Sequence, residues 1–444
     1  MMFNNIKKAI ILCIGITLIL PWKVSLAIEN KSELLLIYDQ YKEYASENNN
    51  LNYVIKMALT TGKNIELRKI NSYTAEDLNN AEGIIILSNE EGSLKKDQVE
   101  ELYTRSEKLL WIGKNSSHEE VVPLNFKDKR SILEIKKKIN DKFNNKENKK
   151  RNCYLLIDEV YPYDDLNLLV KKADYLYEQG IPFLVSAMGV YENLEFDAMK
   201  RYVETLRYCV ASGGTVILGD PYLYDKGPTE EELMQNVSIA QDAFVSYKVY
   251  PIAITINDYY LYRNDRKKYL DETSTIIINE NQNLGVIDFE KYSIGYFDNV
   301  LLKIDGEELN FSKELLTDVA IGIKGNEAIK DLQEKIRLYK KKGIEFSNTI
   351  NLESKLTFGN NKITNNRNGL MVNDVNLRGN KFLSKQGLYG DEDKSLEDEM
   401  PKKSGIIDLT NVNKGIFVIA IMGVIVFIIF FLYSLKIDKK KYFK

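Results

Sequence analysis

Apolar residues recur along this chain in two rhythms, and the switches between them lay out its elements. Between Glu33 and Gly113, short apolar runs at Leu34–Tyr38, Ile65–Leu67, Ile84–Leu87 and Leu109–Ile112 alternate with amphipathic stretches at 51–60, 74–80 and 95–106. A continuous run of a few apolar residues reads as a strand buried on both faces, and the spaced pattern between runs reads as helix. Residues 28–126 are therefore expected to form an α/β domain, a Rossmann- or flavodoxin-like parallel sheet covered on both faces. No G-x-G-x-x-G or G-x-x-x-x-G-K-[ST] follows the first strand, so nothing there marks a phosphate cradle. Residues 127–152 are rich in Lys and Asn and read as a linker, partly helical at best.

The rhythm then resumes. Tyr154–Ile157 predicts a strand ending in Asp158 and Glu159, Leu166–Gln179 a helix, Phe183–Ser186 a strand, Leu194–Ala211 a helix and Thr215–Leu218 a strand. Repeats of about thirty residues close most readily into a (β/α) barrel, expected here over 153–351. Thr275–Ile278, Val300–Leu302 and Val319–Gly322 supply further strands, with Ile344–Ser347 as the last. Ala328–Lys341 places Ile329, Leu332, Ile336 and Tyr339 on one helical face, and Gly343 fits its C-cap. Residues 352–414, rich in Asn, Gly, Asp and Lys, read as a flexible juxtamembrane stalk. Lys355–Phe358 and Gly369–Val372 are short runs able to add a hairpin to the barrel.

Both ends of the chain carry membrane signals. Lys7 and Lys8 precede an apolar run, Ala9–Leu20, and a small-residue site ending at Ala27, the layout of a signal peptide over 1–27. Gly415–Leu435 holds no charge and is long enough to span a bilayer of about 30 Å once as a helix. Five lysines in the 436–444 tail put that end in the cytoplasm and residues before 415 outside. The whole chain carries a net charge of −3; without the leader's three lysines and the tail's net four positive charges, the outer part stands at about −10. Such a surface is a poor partner for nucleic acid, which needs a basic footprint. Cys153 and Cys209 remain outside the leader, which excludes a disulfide framework and leaves one bridge open. The lone histidine, His118, lies in a polar loop stretch, so any chemistry must work without a histidine cluster.

Leu156-Ile157-Asp158-Glu159-Val160-Tyr161-Pro162, together with Gly180-Ile181-Pro182-Phe183 and Gly213-Gly214-Thr215-Val216-Ile217-Leu218, resembles the polysaccharide (NodB-like) deacetylase superfamily. More specifically, it is similar to a deacetylase-like group of bacterial membrane-anchored surface proteins, many with an N-terminal α/β half. The resemblance spans about residues 33–350 and implies a deacetylase-type barrel with Asp158 as base and Glu159 as metal ligand. The H-x-x-x-H that would complete the metal set is replaced by Gly219-Asp220-Pro221-Tyr222-Leu223, and Asn257-Asp258-Tyr259 stands where a further histidine is expected. Without those imidazoles zinc is not expected to stay bound, and nothing remains to lower the pKa of an attacking water.

Two readings follow from these residues. In one, the barrel is a pseudoenzyme that binds or organises an envelope glycan and needs no cofactor. Tyr161, Tyr163, Tyr222, Tyr224 and Tyr259 would stack on sugar faces while the carboxylates accept from sugar hydroxyls. Against it, a chain with 28 tyrosines also holds ordinary half-buried rings. In the other, Asp158, Glu159, Asp220 and Asp258 form an all-carboxylate site for Mn²⁺, Ca²⁺ or Mg²⁺ that supports hydrolysis. A third role is accessory: a protein partner in envelope polysaccharide assembly, docked through the N-terminal domain.

Overall fold

The computed structural model describes residues 33–39, 50–88, 94, 96–113, 121–123, 129–144, 151–219, 228–279, 287, 289–306 and 315–377. The leader, His118, the 415–435 segment, the tail, Asp220, Tyr222 and Tyr224 lie outside these residues. Among the described residues no helix is long and apolar enough to cross a membrane.

The first unit is a Rossmann-like sheet. Strands β1 (Glu33–Tyr38), β2 (Asn64–Lys69), β3 (Gly83–Leu87), β4 (Leu109–Gly113) and β5 (Val121–Pro123) run parallel in the order β2-β1-β3-β4-β5. Helices α1 (Asn50–Leu59), α2 (Ala75–Asn80) and α3 (Lys96–Tyr103) connect the first four strands. Alternate side chains serve opposite faces. Leu34, Leu36, Ile85 and Leu87 pack with α1, whereas Leu35, Ile37, Ile84 and Ile86 pack against Leu78 of α2 and Leu102 of α3. The expected linker is instead largely helix α4 (Lys129–Phe143), which packs beside α1. Its Ile135, Ile139 and Phe143 recur every fourth residue and are buried, so one apolar stripe anchors a helix that is otherwise lysine-rich.

The second unit is a barrel closed by seven parallel strands: β6 (Cys153–Val160), β7 (Phe183–Met188), β8 (Gly214–Gly219), β9 (Ile254–Asn257), β10 (Thr275–Asn279), β12 (Asn299–Ile304) and β13 (Val319–Lys324). Helices α5 (Leu166–Glu178), α6 (Asp197–Ala211), α7 (Glu230–Ser246), α8 (Lys267–Asp271) and α9 (Ile329–Lys341) belong to this unit. Leu156, Leu184, Ile217, Ile277, Leu301 and Ala320 fill the lumen, and their neighbours Leu155, Val185, Val216, Ile276, Val300 and Ile321 face the helices. On α9, Leu332, Ile336 and Tyr339 are buried, and Gly343 takes the left-handed conformation (φ 73°) that ends the helix.

Ile344–Ser347 is not a strand. Because β13 pairs directly with β6, the ring has no place for another strand, and Ser347 instead bonds Cys153 at the amino end of β6. Nor is the 352–414 segment wholly a stalk. Strands β14 (Ser354–Phe358), β15 (Asn361–Asn366), β16 (Gly369–Val372) and β17 (Val375–Asn376) form an antiparallel sheet that closes the barrel's amino end. Leu352, Ile363 and Val372 plug the lumen beneath Tyr154 and Leu156, and the Glu353 carbonyl accepts from Thr275 and Asn299 at the feet of β10 and β12. Both runs expected to add a hairpin belong to this sheet.

One strand crosses between the units. After β10 the chain supplies β11 (Lys291–Ile294), which pairs antiparallel with β2 and extends the first sheet. Cys153 and Cys209 are buried and unbridged, and burial pushes both thiols up to about 12.

Candidate functional site

Chemistry in a parallel barrel gathers at the carboxyl ends of its strands. Continuing the lumen-facing alternation to that end gives Asp158 on β6, Ser186 on β7, Gly219 on β8, Thr255 on β9, Asn279 on β10, Lys303 on β12 and Gly322 on β13. The two glycines set the pairing. A Cβ on Gly219 would lie 3.1 Å from Ser186 Oγ, and its absence leaves Ser186 and Thr255 bonded across β8 at 3.0 Å. A Cβ on Gly322 would lie 2.6 Å from Lys303 Cε; without it the lysine crosses β13 and donates to the Asp158 carboxylate. The mouth is thus two hydroxyls bonded to each other and an ion pair, with Asn279 Oδ1 buried and without a hydrogen-bond partner among the described residues.

The neighbouring carboxylates diverge. Glu159 has φ 55°, a left-handed conformation rare for a residue with a side chain, at a register shift between Ile157 and Val160. Gly325, whose N–H donates to the Asp158 carbonyl at 2.6 Å, packs against this bulge so closely that a Cβ would meet Glu159 O at 3.0 Å. The bulge turns Glu159 outward to Lys324, 3.1 Å away. Asp258, just beyond β9, is fully buried and lies 3.5 Å from Lys56 Nζ of α1. It also accepts from Asn52 Nδ2 at 2.8 Å, and the Tyr262 hydroxyl donates to Asn52 Oδ1. Asp158, Glu159 and Asp258 therefore face three different lysines and do not converge on one cation. Among the described residues no group of three or more His, Cys, Asp or Glu side chains could hold a metal ion, so these three do not fit the all-carboxylate site.

The tyrosines separate in the same way. Tyr161 and Tyr163 stack at 5.2 Å with their planes 3° apart, and Tyr163 is 69% exposed at the end of β6. Burial, and next Glu159, pushes the Tyr161 hydroxyl up to about 12. Tyr259 is half-buried with its edge to Tyr260.

Lys172 of α5 braces this end of the barrel from outside. Its fully buried ammonium donates to the carbonyls of Lys324 (2.9 Å) and Gly325 (2.8 Å), and burial lowers its pKa from 10.5 to about 8. Between pH 8 and 10.5 the unfolded chain holds this proton more firmly than the folded one, so this group makes stability rise with pH across that window. Lys172→Met is expected to flatten the rise by about 1–2 kcal/mol, read as the difference in denaturant unfolding between variant and wild type near pH 8 and near pH 10.

Sequence reasoning missed Lys303, Lys324, Lys56, Ser186 and Thr255. Lys303 and Ser186 carried a signal, because each stands two residues beyond a lumen-facing leucine, Leu301 and Leu184.

The arrangement defines a class of architecture, a doubly wound α/β unit seated on a seven-stranded parallel barrel. No family model and no curated protein matches the chain. Among solved structures, it is similar to "E. coli heptosyltransferase WaaC with ADP" at 7% identity, over 70% of this chain and 98% of that chain. The TM-score of 0.20 is too low for this likeness to carry an argument about fold or function.

Proposed function

We propose that this chain is a membrane-anchored, extracytoplasmic protein of polysaccharide-deacetylase type whose barrel binds or organises an envelope glycan and no longer hydrolyses it. The observation that carries the loss of chemistry is the Asp158–Lys303 ion pair. The side chain expected to act as base is neutralised by an ammonium reaching across Gly322, and its neighbour Glu159 is turned away. Retained binding is supported by the parallel Tyr161–Tyr163 pair beside the mouth, Tyr163 exposed and Tyr161 half-buried, and by the Asn279 side-chain oxygen within it, which has no hydrogen-bond partner among the described residues. Flat aromatic faces stack on the C–H faces of sugars, and an amide oxygen accepts from a hydroxyl or amide N–H. Anchoring rests on the uncharged 415–435 segment and the basic tail after it.

The test is calorimetric titration of the full chain with N-acetylglucosamine oligomers, from the disaccharide to the hexasaccharide. Binding is expected, with Tyr163→Ala weakening it about five- to tenfold and no acetate released in the presence of Mn²⁺, Ca²⁺ or Mg²⁺. Acetate release that disappears in Asp158→Asn would overturn the non-catalytic reading, and absence of binding to every oligomer would overturn the glycan reading for this sugar class.

A further inference from the structure

The large apolar side chains left exposed are sorted between the two ends of the barrel. Among the described residues they are Tyr163, Tyr177, Phe196, Leu338, Ile350 and Val375. Tyr163 and Phe196 follow β6 and β7 and belong to the mouth. The other four lie at the opposite end. The crossover helices run against the strands, so the last turns of α5 and α9 come down beside the amino ends of β6 and β7. Tyr177, 53% exposed, and Leu338, 45% exposed, occupy those two turns, which Lys340 ties together by donating to Gln179 Oε1 at 2.7 Å. Ile350, 48% exposed, sits in the short helical turn Thr349–Asn351, where Thr349 bonds Thr215 at the foot of β8. Val375, 62% exposed, lies on β17 of the closing sheet.

Exposed lysines accompany them. Lys340, Lys341 and Lys342 end α9, where cations suit the helix's negative end; the acidic residues of this end include Glu178 and Glu345, together with Glu353 and Asp374, which pair with Arg367 and Lys362. The described chain also leaves from this end: Leu377 N donates to Leu370 of the closing sheet, and the 415–435 apolar segment lies farther along the sequence.

We infer that this foot of the barrel docks on the surface of an anionic bilayer, which points the mouth away from the membrane. The inference rests on the proposed anchoring and adds an orientation to it. Apolar tips beside lysines are the composition that settles at the headgroup boundary, where apolar burial and attraction to anionic lipid add together. A second copy of the chain would be repelled by the same three lysines.

The experiment uses the full chain in nanodiscs of brominated phosphatidylcholine and phosphatidylglycerol, with tryptophan placed by Ile350→Trp or, at the mouth, by Phe196→Trp. Quenching and a blue shift are expected at position 350 and not at 196. Replacing Lys340, Lys341 and Lys342 by Gln should lower the docked population about fivefold per lysine, and added salt should do the same. If the chain co-purifies with the discs but position 350 reports water as fully as 196, docking is overturned and anchoring stands. Failure of the wild-type chain to co-purify with lipid overturns the anchoring itself. Equal quenching in purely zwitterionic discs would overturn the anionic part of the inference.

Discussion

Lys303→Met is expected to destabilise the fold by about 3 kcal/mol, the lower end of the range for breaking a buried ion pair. The Asp158 side chain is 3% exposed and would lose the ammonium now beside it; Lys303, 23% exposed, is wet enough to temper the loss. Lys303→Met with Asp158→Asn should recover most of that stability, because the cost lies in the uncompensated charge rather than in the pair itself. Denaturant unfolding of the two single variants and the double variant measures the coupling. Additive losses with no recovery would show that the ion pair does not hold the mouth. Glycan binding by the double variant should match wild type, since the pair is proposed to replace chemistry and not to grip the sugar.

Lys56→Met is expected to cost about 3–5 kcal/mol and to loosen the two units from one another. The cation it removes lies 3.5 Å from a carboxylate with no exposure, and both belong to a network joining Asn52 and Lys56 of α1 to Asp258 and Tyr262 beyond β9. Tyr38 OH, which bonds both the N–H and the carbonyl of Phe289 in the segment leading into β11, stays intact. Hydrogen exchange should therefore accelerate in α1 and at 258–262 before it does in the lumen strands. Uniform acceleration across both units would mean that they unfold as one and that the junction is not a separate weak point.

Most of the strands were legible because a buried parallel strand announces itself. Leu34–Tyr38, Ile84–Leu87, Tyr154–Ile157 and Thr275–Ile278 are runs that no other element accommodates so well. Helix α4 was hidden because its three buried apolar positions lie among many lysines, and composition outweighed a stripe that becomes meaningful only with a sheet to cover. Strand β11 alternates buried and less buried positions, yet a four-residue alternation predicts nothing until the edge of β2 is known to be open. The stretch after 352 looked unable to fold alone; its residues 354–376 form a sheet on the barrel, whose lumen takes Leu352, Ile363 and Val372.

The site divides along the same line. Periodicity alone placed Asp158 at the carboxyl end of a lumen strand, and residue identity alone removed the histidines a zinc site would use. The partners of the carboxylates could not be read from the sequence. Lys56, Lys303 and Lys324 reach Asp258, Asp158 and Glu159 from a helix of the other unit, from β12 across a glycine, and from β13. Local sequence fixes which residues share a strand or a helical face because those periods are set by the backbone. Which charge meets which depends on ring closure, the docking of the two units and the bulge at Glu159, and these are set by contacts between residues far apart in the chain.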